Sequence, residues 1–237
     1  MIRLALLIFL VASSPLLAAD DGFEPIFDGK TFTGWKTSDP DPWSIQDGAI
    51  TGTITKERPL TENRYLIWKG SEKAPQGELA DFELKLKSRV RGEGAINNGF
   101  QFRSRVMADR DVAGYQVDNN LKTDWLVRLY DEHGRHTLAW RGQRTVFGRD
   151  GKATHSKIEG AQGPAPFKLE DWHEYHLICQ GPRLTLRVND ALVAEAIDND
   201  PLHADAAGIL ALQLHSGPPT LVQFKDIRLK KLNRTAD

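Results

Sequence analysis

Residues 81–90 read Asp-Phe-Glu-Leu-Lys-Leu-Lys-Ser-Arg-Val. Phe82, Leu84 and Leu86 alternate with Asp81, Glu83, Lys85 and Lys87. A period of two puts the apolar side chains on one face of a strand and the charges on the other. The same alternation recurs along the chain, separated by turn residues. Residues 43–52, WSIQDGAITG, read as strand, Asp47-Gly48 turn, strand. Residues 183–196, RLTLRVNDALVAEA, place Asn189-Asp190 between two alternating arms, a hairpin signal. In residues 219–232, PTLVQFKDIRLKKL, Val222 and Phe224 share one parity and Ile227 and Leu229 the other. A bulge near Lys225-Asp226 restores the phase. Helical periodicity is almost absent, so the sequence predicts an all-β sandwich or barrel.

The chain has 237 residues. Its start pairs one positive charge, Arg3, with an apolar run from Leu4 to Ala12, then the small residues Ala18 and Ala19. This reads as a signal peptide over residues 1–19 and is too short to span a membrane. An exported, periplasmic or secreted protein is therefore expected. The remainder fits one domain, assigned to residues 22–232 and followed by a tail at 233–237. The formal net charge of −1 argues against a nucleic-acid partner. The single cysteine, Cys179, lies among apolar strand residues and reads as a core filler. The stretch from His133 to Leu169 is the least regular, and a long loop over a site is expected there.

Four strands carry unusual groups on their non-core faces. In residues 97–104, NNGFQFRS, Gln101 and Arg103 oppose Phe100 and Phe102. In residues 114–120, GYQVDNN, Gln116 and Asp118 oppose Tyr115 and Val117. In residues 125–135, WLVRLYDEHGR, Arg128 and Tyr130 oppose Trp125, Val127 and Leu129. In residues 210–217, LALQLHSG, Gln213 and His215 oppose the leucines. Side chains at i and i+2 stand side by side. Stacked across one sheet, these amides, guanidinium groups, rings and carboxylate form a polar floor suited to sugar hydroxyls. The alternative is that they satisfy one another beneath a loop.

The other histidines point elsewhere. His173 and His176 have odd spacing and face opposite ways, His133 and His136 sit in a turn, and His155 lies in the irregular stretch. No tight His/Cys cluster marks a zinc site. No cofactor is assigned, and a divalent ion held by His215 with carboxylates stays open. Trp140 is the one tryptophan singled out as a sugar-stacking platform.

The chain resembles an exported bacterial family, domain of unknown function 1080, described as 3-keto-glycoside 1,2-lyase/3-keto-2-hydroxy-glucal hydratase and formerly as 3-keto-disaccharide hydrolase. The resemblance rests on FEPIFDGKTFTGWK (residues 23–36), WSIQDGAITG, DFELKLKSRV, NNGFQFRS, GYQVDNN, LVRLYDEHGR, LQLHSG and VQFKDIRLKKL in this order. Gln116 stands where the family often has a nearby glutamate. The resemblance implies a concanavalin A-like jelly-roll sandwich of two antiparallel sheets, with the floor on a concave face.

It also implies a chemistry. A ketone at sugar C3 acidifies the C2 hydrogen; the resulting enolate expels the group on C1. That takes a base, a donor for the enolate oxygen and an acid for the leaving oxygen. His215 is the first choice of base and Asp118 the second, or the group that orients it. Arg103 and Arg128 are placed at the enolate, Tyr130 at the leaving oxygen, and Gln101, Gln116 and Gln213 at ring hydroxyls. A non-catalytic carbohydrate-binding module remains the alternative. A retaining glycosidase would bring paired carboxylates in a Glu-x-Asp-x-x-Glu pattern, which is absent.

Overall fold

A computed structural model describes residues 21–233 apart from 38, 73, 93, 95, 122–124 and 162–167. The expected signal peptide, and the tail beyond Asn233, lie outside the described residues. So does the side chain of Trp125. Every regular element among the described residues is a strand, and together they make two large sheets and a short hairpin.

The ten-stranded sheet runs in space β14 (Ala153–Lys157), β13 (Gln143–Phe147), β17 (Ala191–Asp198), β16 (Arg183–Val188), β15 (His173–Gln180), β8 (Phe82–Gly92), β19 (Thr220–Lys231), β4 (Ala49–Ile54) and β3 (Trp43–Gln46). Its tenth strand, β1 (Glu24–Pro25), pairs with β19. The seven-stranded sheet runs β12 (His136–Trp140), β11 (Trp125–Glu132), β10 (Val112–Leu121), β9 (Ile96–Val106), β18 (Ile209–Leu214), β5 (Arg64–Trp68) and β2 (Trp35–Lys36). The hairpin joins β6 (Gly70–Ser71) to β7 (Ala74–Pro75). Pairing in both large sheets is antiparallel except for β13 beside β17. This is the expected all-β sandwich, with jelly-roll crossovers between strands distant in sequence.

The period-two alternation builds the core. Phe82, Leu84 and Leu86 of the large sheet and Phe100, Phe102 and Val117 of the small one are buried in one cluster. Phe100 meets Tyr175 of the facing sheet edge-on at 5.9 Å between ring centroids. Cys179 is buried in the same cluster, and burial pushes its thiol up to about 12. The turn signals take the expected form: Asp47, Asn189 and Asp190 all have positive φ. The register of β19 on β8 shifts between Lys225 and Arg228, with Asp226 at φ 52°. That bulge switches the parity between Phe224 and Ile227, and both are fully buried.

The irregular stretch from His133 to Leu169 is not the open loop expected from its composition. It contains β12, β13 and β14. Glycines and polar residues lowered its strand signal, but its backbone is paired at the edges of the two sheets. Residues 162–167 of this stretch lie outside the description.

Candidate functional site

The register of five neighbouring strand pairs puts the polar residues on the outer face of the seven-stranded sheet. One cross-strand row runs Ala211, Gln101, Gln116, Tyr130. The next runs Tyr65, Gln213, Gly99, Asp118, Arg128, Trp140. The even spacing that sends Phe100, Leu129 and Leu212 into the core sends these residues to the opposite face. Gln101, Gln116, Asp118 and Gln213 are nevertheless at most 3% exposed, so the floor lies deep. Gly99 makes room for it: a Cβ there would meet Val117 O at 2.6 Å and Gln116 Nε2 at 3.1 Å.

The floor is only partly self-satisfied. Arg128 donates Nε–H to Asp118 at 2.6 Å and Nη1–H to Thr137 Oγ1 at 2.9 Å. Gln213 donates to the Tyr65 hydroxyl at 3.3 Å, and Ser104 donates to Gln101 Oε1 at 3.3 Å. Gln101 Nε2, Gln116 Nε2 and Gln213 Oε1 are buried without a protein partner. An unpaired buried amide atom is costly unless a water or a ligand completes it.

His215 stands two residues beyond Gln213, just past the end of β18. Its Nδ1 lies 2.6 Å from Ser216 O. A carbonyl oxygen only accepts, so Nδ1 carries the hydrogen, and in the neutral ring Nε2 is the acceptor. Ser216 is tied back by its N–H to Asn63 Oδ1 at 3.0 Å. His215 lines a cavity of about 820 Å3 together with Tyr65, Asn63 and, from the segment before β10, Asp111.

Two carboxylates flank this end of the floor. Asp111 accepts from His133 Nε2 at 2.9 Å and from the Val112 N–H at 2.9 Å. Burial pushes its carboxyl up, but hydrogen bonds from His133, Tyr65 and Val112 outweigh that and hold it below its ordinary value. Glu132 follows Tyr130 by two residues in β11 and so shares its face. Burial pushes its carboxyl up, and the nearby charges of Asp111 and Asp118 add to this against His133 and His215. One carboxyl held below its ordinary value and one pushed above it are the raw material of acid–base chemistry.

Arg103 does not join the floor. The register of β18 on β9 shifts between Ile209 and Ala211, and Arg103 takes φ 47°. This bulge turns its guanidinium away to donate to Ala80 O at 2.7 Å, Gly181 O at 2.9 Å and Asp81 Oδ1 at 3.1 Å. At 3% exposure, with these three partners, it is a structural tie between strand ends and no longer a candidate for the enolate. The other expected residues do share the outer face. Tyr130 gives its hydroxyl to a contact with His136 Nδ1 at 2.9 Å. Trp140 lies at the far edge, 44% exposed, with the Arg128 guanidinium carbon 5.1 Å from its ring centroid.

Sequence reasoning missed Tyr65, Asp111, Glu132 and His133. Glu132 was legible, because it has the parity of Arg128 and Tyr130. Tyr65 was legible within β5 by the same rule. Asp111 and His133 come together from separate turns, and their sequence neighbourhoods carry no such signal. Among the described residues, no three His, Cys, Asp or Glu side chains are grouped to hold a metal ion.

Comparisons with known proteins match the fold and the sequence. The carbohydrate-binding module CBM66 from Bacillus subtilis shares the fold at a TM-score of 0.53 and 17% identity, over 84% of this chain and 96% of that one. A Bacillus subtilis protein with a galectin-like fold reaches 0.56 at 10% identity, over 90% and 96% of the two chains. A 3-keto-disaccharide hydrolase of Bacteroides thetaiotaomicron is 31% identical over 103 residues, 41% of this chain and 32% of the relative. The match thus spans about a third of that relative's length. The model of the 3-keto-alpha-glucoside-1,2-lyase-like domain matches residues 22–230. A fit of that extent, on a jelly roll whose outer face carries a deep polar floor, means that this chain belongs to the 3-keto-alpha-glucoside-1,2-lyase-like domain family.

Proposed function

We propose that this protein is an exported enzyme that cleaves, and then hydrates, 3-keto sugars by proton transfer at C2. The observation that carries the reading is His215: its Nδ1 is pinned to a carbonyl, and it lines the same open cavity as Asp111 and Tyr65. The family membership supports the substrate class.

In the elimination, His215 Nε2 takes the proton from C2. The electron pair moves into the C2–C1 bond as the C1–O bond breaks, with the C3 ketone carrying the charge as an enolate. The leaving oxygen takes a proton from Glu132, whose raised carboxyl suits that task better than a Tyr130 phenol already engaged by His136. Tyr65 and Asn63, which line the cavity beside His215, meet ring hydroxyls, and Gln213 donates to the Tyr65 hydroxyl from the amide floor beneath. Arg128 supplies positive charge at the floor while Asp118 fixes its plane. Hydration runs the same proton transfers in reverse, with water adding at C1.

The test is incubation with a 3-keto-disaccharide and product analysis by mass spectrometry. His215→Ala is expected to lower turnover by ~100-fold or more with an unchanged melting temperature. Near-normal turnover in a stable His215→Ala protein overturns the assignment. Wild-type protein that binds the sugar and never turns it over is a carbohydrate-binding module instead.

A further inference from the structure

We propose that Trp140 forms a second sugar subsite at the far edge of the cleft, so that the natural ligand is an oligosaccharide lying across the sheet. The inference rests on the proposed function only for which end holds the reacting ring.

Large apolar side chains that stay exposed are few in this molecule: Val106, Met107, Leu202 and Trp140, the last being the sole aromatic among them within the described residues. A wide exposed ring that borders a cavity offers a stacking face to a ligand. This ring is also braced. The Arg128 guanidinium lies against it and is itself fixed by Asp118 and Thr137. The Trp140 backbone N–H donates to Gln143 Oε1 at 3.0 Å. A platform fixed before its ligand arrives loses little freedom on binding.

The position sets the ligand's length. Trp140 ends the row that begins at Tyr65 and passes Gln213, Gly99, Asp118 and Arg128. That row crosses six strands, or about 24 Å at the usual strand spacing. A disaccharide held at His215 does not reach Trp140; a chain of several pyranose rings does. Beyond the ring a cavity of about 550 Å3 opens, lined by Trp140, Gln143, His155 and Lys157 among others. The apolar face of a pyranose stacks on the indole, and its hydroxyls meet the polar groups of that cavity. The chemistry recognised there is an uncharged sugar ring.

The test is calorimetric titration of the full chain with cello- and malto-oligosaccharides of two to six units. In wild type the affinity for one series is expected to rise ~10-fold with length, about 1.4 kcal/mol of added contact. Trp140→Ala should flatten that rise, leave the disaccharide affinity unchanged and keep the melting temperature; Trp140→Phe should retain most of the rise. Affinity independent of length in both series overturns the subsite, as does a rise that survives in Trp140→Ala. A wild-type protein that shows the rise yet never turns over a 3-keto-disaccharide supports the subsite and counts against the lyase reading alone.

Discussion

The outer faces of the two sheets are built from the same alternation and end in opposite states. Along β8, β15 and β19 of the ten-stranded sheet the outward charged residues pair among themselves near the surface. Lys87 meets Asp226 at 2.9 Å, His176 meets Glu83 at 2.8 Å, and Lys230 and Arg228 meet Glu83 and Glu174 at 3.4 and 3.6 Å. On the seven-stranded sheet the amides and Asp118 in the middle of the outward face are buried, and the amides are partly unpaired. Flexible charged side chains satisfy themselves in water. Short planar ones held in a deep floor keep hydrogen-bonding capacity unspent, and that capacity is what a binding site offers.

The largest expected effect tests whether Arg103 stands outside this contrast. Arg103→Met leaves the buried Asp81 carboxylate without its cation, and removing one partner of such a pair costs ~3–5 kcal/mol. Denaturant unfolding should show that loss, with turnover of the remaining folded protein intact. A stable but inactive Arg103→Met protein would return the residue to the cleft.

Next is Gly99, which holds the floor open. Gly99→Ala forces a Cβ against Val117 O and the Gln116 amide, and overpacking of this kind costs ~1–3 kcal/mol. Sugar affinity should drop with stability, since Gln116 is displaced. Unchanged affinity would mean that the amide floor does not shape the sugar site.

Glu132 separates stability from function. Its carboxyl titrates higher in the fold than in the unfolded chain, chiefly because it is buried. The fold therefore binds the proton more tightly. The resulting stability is present below the unfolded value, ~4.3 for an ordinary glutamate, and is lost as pH rises through the folded value. Glu132→Gln should melt higher than wild type at neutral pH, with the gap closing in acid, while turnover falls. A variant that melts lower at neutral pH, or keeps full turnover, contradicts the acid role.

The smallest effect belongs to the other face. Lys87→Ala removes a pair whose partners are 39% and 49% exposed, and it should cost no more than ~1 kcal/mol and leave turnover untouched. A turnover change there would mean that both faces serve the site.

The alternation in residues 81–90, the Asp47-Gly48 and Asn189-Asp190 turns and the bulge after Lys225 fixed the fold class without any tertiary knowledge. Each is a local property: side-chain direction has period two, and a turn with positive φ selects its own residues. The same parity put Gln101, Gln116, Asp118, Arg128, Tyr130 and Gln213 on one kind of face. Only the tertiary structure decided which strands became neighbours, and so which of those residues share a row. It also decided the exceptions. A bulge opposite Leu210 turned Arg103 out of the floor, although its sequence spacing matched Gln101. The segment before β10 brought Asp111 to Tyr65 and His133, three residues with no common sequence pattern. Burial raised the Glu132 carboxyl while Asp118, on the same face, is paired with Arg128. Register, bulges and burial depend on partners far along the chain, and a local period carries no information about them.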